Sequence, residues 1–418
     1  MKKSNSKLNI ALLCSCLLIF GLGLMLASLV FLGKAKKNAQ VYTDSDTPGT
    51  VEQTETVENR YAAETSGSLK VDVFGDYRDG YLNDGSYKTY MDIAGQKNIT
   101  VSNEAGFRGL YIEWDSLPGE YVIAYGDESL GCGTNGFLHE YIEFPQTVYE
   151  AEIRLKGPAA ICCVRSFTEG ELPENLQVWQ EPLENADILV FPTHFDDDTL
   201  YFGALISYYA IERQKNVQCC YMVSEYENRL RKHEMLYGLW ELGVRNYPVF
   251  GGFDDVKSNS LEDAISEYGR EKPAEWQTEM IRRFRPSVIV GHDIEGEYGH
   301  GAHRLNASVL LDTSMKSGDE SYFPDSAAEY GVWQAQKLYL HMYEENSIML
   351  AVDEPMSRAG GESPYLKACD AFAKNESQTK YFSVEKESEE RGDCRAFGLY
   401  YSLVGPDTGN DIMENIPE

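Results

Sequence analysis

Three hydrophobic rhythms divide the chain. The first is an unbroken apolar run from Ile10 to Leu32, 23 residues without a formal charge. As a helix it would be about 35 Å long, enough to cross a bilayer core of about 30 Å. Lys2, Lys3 and Lys7 precede it, and Lys34, Lys36 and Lys37 follow it. A cleavable signal has an apolar core of roughly 7–15 residues and a small-x-small cleavage site. This run is longer, and "LGKAKKNAQ" is a poor cleavage site. The pattern therefore predicts an N-terminal transmembrane helix, an uncleaved signal anchor over residues 1–37. The lysines tie on the two sides. A short tail left in the cytosol would make this a single-pass protein of the cell membrane, with the bulk of the chain outside. Residues 38–66 are polar, rich in Thr and Glu and without period, which predicts a flexible stalk reaching roughly 30 Å.

The second rhythm alternates. In "SLKVDVFG", Leu69, Val71 and Val73 alternate with Lys70 and Asp72. In "TVYEAEIRL", Tyr149, Ala151, Ile153 and Leu155 alternate with Glu150, Glu152 and Arg154. Period two means strands with one buried face. Gly- and Asn-rich segments such as "GCGTNG" separate them, so residues 67–180 are expected to form an antiparallel β-sandwich-like module. Its aromatics Trp114, Tyr111 and Tyr125 have two uses, stacking on sugar rings or filling the core; the second is the expectation.

From residue 181 the rhythm changes again. "ADILVFPT", "VQCCYMV" and "SVIVG" are short apolar runs without alternation, as expected of strands covered on both faces. Between them lie helical spacings at Leu200, Tyr201, Ala204, Leu205, Tyr208 and Ile211, a helix from Arg229 to Leu242 closed by Gly243, and "TEMIRRFRP" closed by Pro286. Val249 and Phe250 mark a further strand, and "AFGLYYSLVG" a late one. Strand alternating with helix predicts α/β architecture, a Rossmann-like parallel sheet over 181–418.

Charge narrows the class of partner. The chain carries 37 basic and 67 acidic residues, a net charge of −30, and all six lysines of the first 37 residues stand without an acid. Such a surface repels phosphate backbones, which excludes a nucleic-acid partner. Of nine cysteines, Cys14 and Cys16 lie in the apolar run. The vicinal pairs Cys162/Cys163 and Cys219/Cys220 sit in strand-like runs and read as small core residues. Cys369 with Cys394 is the first disulfide candidate.

Ligands of doubly wound sheets bind beyond the carboxyl ends of the strands. Two such ends carry unusual clusters: Thr193-His194-Phe195-Asp196-Asp197-Asp198, and His292-Asp293-Ile294-Glu295-Gly296-Glu297-Tyr298-Gly299-His300-Gly301-Ala302-His303. Four of the seven histidines lie in them. A hydrolytic zinc site needs about three protein ligands and an open position for water. His194 and Asp197, three apart on a turn, can converge. His300 and His303 share a face on a helical turn; one can bind metal while the other works on substrate, leaving Asp196 as general base. Taken singly, the acids read as a helix N-cap and the histidine pair as surface. Together, each at a strand end, they read as a site. His292 serves a ligand or a loop hydrogen bond equally well, and His139, His233 and His341 read as structural or surface residues.

"PTHFDDDTL" followed by "HDIEGEYGHGAHR" resembles the PIG-L/LmbE family of zinc-dependent N-deacetylases. That family's motifs are usually His-Pro-Asp-Asp-Glu and Gly-His-Pro-Asp-His. The likeness spans roughly residues 185–345 and extends to Arg231-x-x-Glu234, Leu242-Gly243-Val244 and "KLYLH". It implies one Zn²⁺ held by His194, Asp197 and His303, with Asp196 as base. His300 would assist the intermediate or leaving group, Tyr298 would donate a hydrogen bond or proton, and Arg231 would contact substrate. Phe195 replaces the usual Pro, Asp198 the usual Glu, and Ala302 a common Asp. The implied activity is removal of an N-acetyl group from an N-acetylglucosamine-type sugar or glycoconjugate, which export would place at the cell envelope. The rival readings are a carbohydrate-binding surface protein with a non-catalytic α/β domain, and a metal-dependent hydrolase of another bond, such as a phosphoester.

Overall fold

Alternating residues form one antiparallel sheet in the computed structural model, which describes residues 61–73, 82–94, 98–387 and 392–417. The expected anchor, and the expected stalk as far as residue 60, lie outside these residues. Among the described residues no helix is long and apolar enough to cross a membrane. The first sheet has seven strands: β1 (Lys70–Val73), β2 (Met91–Ile93), β3 (Asn98–Ser116), β4 (Tyr121–Tyr125), β5 (Glu128–Cys132), β6 (His139–Leu155) and β7 (Ala159–Phe167), in the order β2-β7-β3-β6-β4-β5 with β1 on β3. The long strands β3 and β6 pair along their lengths, and their register shifts between Ser102 and Phe107. A shift of this kind bends a strand and lets it turn a corner between layers. Aromatic rings pack edge to face in the core: Trp114 lies 5.3 Å from Tyr121, and Phe144 5.1 Å from Tyr125. Trp114, Tyr111 and Tyr125 are all buried, so they fill the core and present no face to a sugar.

The unalternating runs form a second, mixed seven-stranded sheet. Its strands are β8 (Ile188–Val190), β9 (Val217–Glu225), β10 (Val249–Asp254), β11 (Val288–Gly291), β12 (Lys337–His341), β13 (Ser347–Met349) and β14 (Ala396–Ser402). The order is β10-β9-β8-β11-β12-β14-β13. The first five are parallel, and every residue of β8, β11 and β12 is buried. The late strand β14 adds antiparallel to β12, so the sheet is parallel only in part.

Its helices are α1 (Asp197–Leu200), α2 (Gly203–Ser207), α3 (Leu230–Glu241), α4 (Leu261–Tyr268), α5 (Glu271–Phe284), α6 (Gly301–Lys316), α7 (Pro324–Tyr330) and α8 (Pro364–Phe372). The helix expected around 200–211 is broken into α1, α2 and a π-turn. Helix α8 packs so closely at the break that a Cβ on Gly203 would sit 3.0 Å from the Cβ of Ala368. Helix α3 stops before Gly243, whose φ of 88° suits glycine.

A common hydrophobic core runs from the first sheet into the second. Buried polar contacts join them: His139 Nε2 lies 2.8 Å from His233 Nδ1, His139 Nδ1 lies 2.7 Å from Gln177, and the Tyr237 hydroxyl donates to Glu113. The vicinal cysteines are buried thiols, as their strand positions suggest. Cys369 and Cys394 are unbonded too, so the suggested disulfide is absent.

Candidate active site

The chain leaves β8 for β9 and β10 on one side, then returns to β11 on the other. β8 and β11 are therefore adjacent parallel strands at the point where the order reverses, with Val190 opposite Val290. A crevice opens beyond the carboxyl ends at such a point. Both motif loops begin there, which is how residues 109 positions apart in sequence come to touch.

His194 Nδ1 lies 3.0 Å from His303 Nε2 and 3.4 Å from Asp197 Oδ2; His303 Nε2 lies 3.3 Å from Asp197 Oδ1. All three side chains are nearly inaccessible. The turn that holds them is made by Asp197 itself, whose Oδ2 accepts the Thr193 and His194 amides at 3.1 and 2.6 Å. Where the resemblance expects proline, Phe195 is fully buried against the rings of Tyr221, Tyr226 and Phe250. Its amide, which proline lacks, donates to the Tyr226 hydroxyl at 3.2 Å.

Asp196 is buried beside this triangle. Arg231 Nη2 donates to its Oδ1 at 2.7 Å, and the guanidinium lies over the Tyr226 ring. The guanidinium expected at the substrate is thus engaged by the neighbouring acid. Burial raises the Asp196 pKa above the ordinary range, with Arg231 opposing. The His300 ring stands 4.8 Å from His194 and 4.9 Å from His303. Burial, reinforced by those two histidines, lowers its pKa to about 3, and its Nδ1 is buried without a hydrogen-bond partner. Tyr298, half exposed at the mouth, lies 5.6 Å from both His300 and His303. Asp255, after β10, approaches His194 Nε2 to 3.7 Å.

Three further residues belong to the cluster. His292 is fully buried, accepts the Thr193 amide at 2.9 Å on Nε2 and places that atom 3.3 Å from Asp197. Glu297 and His341 are equally buried and joined at 2.7 Å. The histidine-rich loop drew attention in the sequence. Glu297 stood among three glycines and two other acids there, and nothing local marked it as buried. His341 ends a strand whose apolar run is the only signal it gives.

The donor set can be tested against a cation. His303 gives its Nδ1 proton to Glu297, so its Nε2 turns toward Asp197 and His194 Nδ1. Lone pairs facing one another at 3.0–3.4 Å call for a positive charge between them. Without one, Asp197 and Glu297 overcome the effect of burial and hold a proton on His303 up to about 10. Tetrahedral zinc with bonds of about 2.0–2.1 Å sets its ligand atoms about 3.3 Å apart. The observed separations of 3.0–3.4 Å are of that length, with Asp197 facing His194 through Oδ2 and His303 through Oδ1. Ligand atoms of His194, His300 and His303, and of Asp197, His292 and His303, also lie within 4.8 Å of one another.

No family model matches the chain. It is similar to a 1D-myo-inositol 2-acetamido-2-deoxy-alpha-D-glucopyranoside deacetylase 1 of Frankia casuarinae, 26% identical over 193 residues, which are 40% of this chain and 62% of that protein. A deacetylase of the same description from Geodermatophilus obscurus is 24% identical over 211 residues, 44% of this chain and 70% of its own. Against the first, the chain spans less than two thirds of the relative's length. Among solved structures, N,N'-diacetylchitobiose deacetylase from Pyrococcus horikoshii covers 48% of this chain and 73% of its own, at 18% identity and a TM-score of 0.36. The relatives by sequence are thus named as deacetylases of an N-acetylglucosamine derivative.

Proposed function

We propose that this protein is a zinc-dependent N-deacetylase of the PIG-L/LmbE type, releasing acetate from a 2-acetamido sugar or its glycoconjugate. The observation that carries the reading is the convergence of three buried lone-pair donors, His194 Nδ1, Asp197 and His303 Nε2, with a second acid, Asp196, beside them. One ion held by those three residues would polarise the acetamide carbonyl and lower the pKa of water at its open position. Asp196, fixed at Oδ1 by Arg231, takes the proton of the attacking water on its carboxylate. Burial lifts its pKa toward the range where a base works best. His300 and Tyr298 line the mouth as hydrogen-bond donors to the developing oxyanion, and Asp196 passes the proton it took from water to the departing amine. Water and amide are consumed; acetate and a free amino sugar leave. Anchoring by Ile10–Leu32 and display of the domain outside the cell belong to the same proposal and rest on that apolar run.

The test is acetate release from N-acetylglucosamine-containing glycoconjugates, with zinc content measured in parallel. Asp196→Asn is expected to keep its zinc and lose at least about 100-fold in kcat, the lower range for a general base. Undiminished release by that variant would remove Asp196 from its role, and a wild-type chain that takes up no zinc would overturn the metal centre.

A further inference from the structure

We propose that Glu297 is the positioning residue of this centre, a carboxylate that orients His292, His303 and His341 together. The inference deepens the proposed metal site and rests on it. Glu297 is fully buried, yet all its partners are donors. Its Oε2 lies 2.8 Å from both His303 Nδ1 and His292 Nδ1; its Oε1 lies 2.7 Å from His341 Nδ1 and 3.2 Å from the Asp293 amide. One side chain thereby ties the loop after β11, the first turn of α6 and the end of β12.

Proton bookkeeping follows from these contacts. His303 and His292 each give Nδ1–H to Oε2, so their Nε2 atoms point away from it. His303 Nε2 joins Asp197 and His194, and His292 Nε2 accepts the Thr193 amide. His341 differs. Its Nε2 faces the Asp393 carbonyl at 3.0 Å, so both of its nitrogens meet oxygen acceptors. Its Nδ1 contact adds a third imidazole to the Glu297 carboxylate. A buried carboxylate without such a partner would be costly.

The backbone is bent to bring this residue inward. Gly296 and Gly299 flank it at φ 69° and 79°, and Tyr298 holds a left-handed φ of 44° that a non-glycine residue adopts only under strain. A Cβ on Gly296 would lie 2.7 Å from the His300 carbonyl. Ala302 is buried with no polar atom to offer. Carboxylates that orient metal-binding histidines change metal affinity by about 10–100-fold when removed.

The experiment uses the full chain with ¹⁵N-labelled histidine and Zn²⁺ alone as probe. In the zinc-loaded wild type, His303 and His292 are each expected to carry a proton on Nδ1. Glu297→Gln, similar in size but uncharged, is expected to weaken zinc binding about 10–100-fold while the melting of the metal-free chain stays cooperative. A proton on Nε2 of His303, or a Glu297→Gln variant that binds zinc within twofold of wild type, overturns the proposal. If that variant fails to fold, the wild-type proton pattern decides alone. A wild-type chain that binds no zinc overturns the proposed function; in that case the proton positions on His292 and His341 still decide whether Glu297 holds them.

Discussion

Replacing Arg231 by glutamine separates two uses of that residue. The sequence places it at the substrate; the structure places its Nη2 at 2.7 Å from Asp196 Oδ1, with the side chains only 11% and 8% exposed. Glutamine keeps most of the length and can still donate, but carries no charge. A hydrogen bond to a charged group contributes about 1.5–3 kcal/mol. At about 1.4 kcal/mol per factor of ten, losing it would lower kcat roughly 10- to 100-fold. KM should change little, because the lost interaction is with the base and not with the sugar. The pH profile gives a second reading. Burial raises the Asp196 pKa, and Arg231 opposes that by favouring the ionised form. Without the guanidinium the pKa rises further, so the acid limb of kcat/KM moves to higher pH. The deficit is then largest on the acid side and shrinks as pH rises. The assay is steady-state acetate release across the acid and neutral range. A rise in KM at constant kcat, with the limb unmoved, would refute this reasoning and return Arg231 to the substrate.

Three other outcomes follow from the geometry. Chelation should abolish acetate release and lower the melting temperature, because the converging lone pairs lose their cation. An ion present at a thousand times its Kd stabilises by about 4 kcal/mol, and zinc should restore both signals. Asp198→Asn should stabilise the protein increasingly as pH rises from about 4 to 8. Burial, aided by Asp196 and Asp197, holds the Asp198 carboxyl well above its ordinary pKa, so the unfolded chain releases a proton that the folded one retains. Thermal melts at the two pH values check the sign, and an equal gain at both would refute it. Phe195→Pro, which restores the commoner motif residue, should destabilise by about 3 kcal/mol or more. It removes a fully buried ring and the amide bonded to Tyr226, and chemical denaturation measures the loss.

Much of the architecture is local and was legible in the residues. Alternation marked the strands of the first sheet, unbroken apolar runs marked β8, β9 and β11, and Gly243 and Pro286 marked helix ends. These signals depend on neighbours along the chain, and each side chain's fate is set within a few positions. The two motif loops were equally visible, because a strand end followed by His and Asp is a local pattern. Their meeting was not. His194 touches His303 because β8 and β11 pair in parallel at the reversal of strand order, a decision taken by the whole sheet. The bend in β3 is similar, since a bulge shows only against its partner strand.

Buried charge was the least legible of all. Glu297, His341 and Arg231 have no sequence signal for burial, because an ionised group enters the interior only when partners from distant elements compensate it. Those partners come from β11, α6 and β12 for Glu297, and from the turn after β8 for Arg231. The sequence by itself determined which residues were available to the chemistry. The tertiary structure decided which oxygen faces which nitrogen, because hydrogen bonds act over about 3 Å while the groups they join lie tens of residues apart.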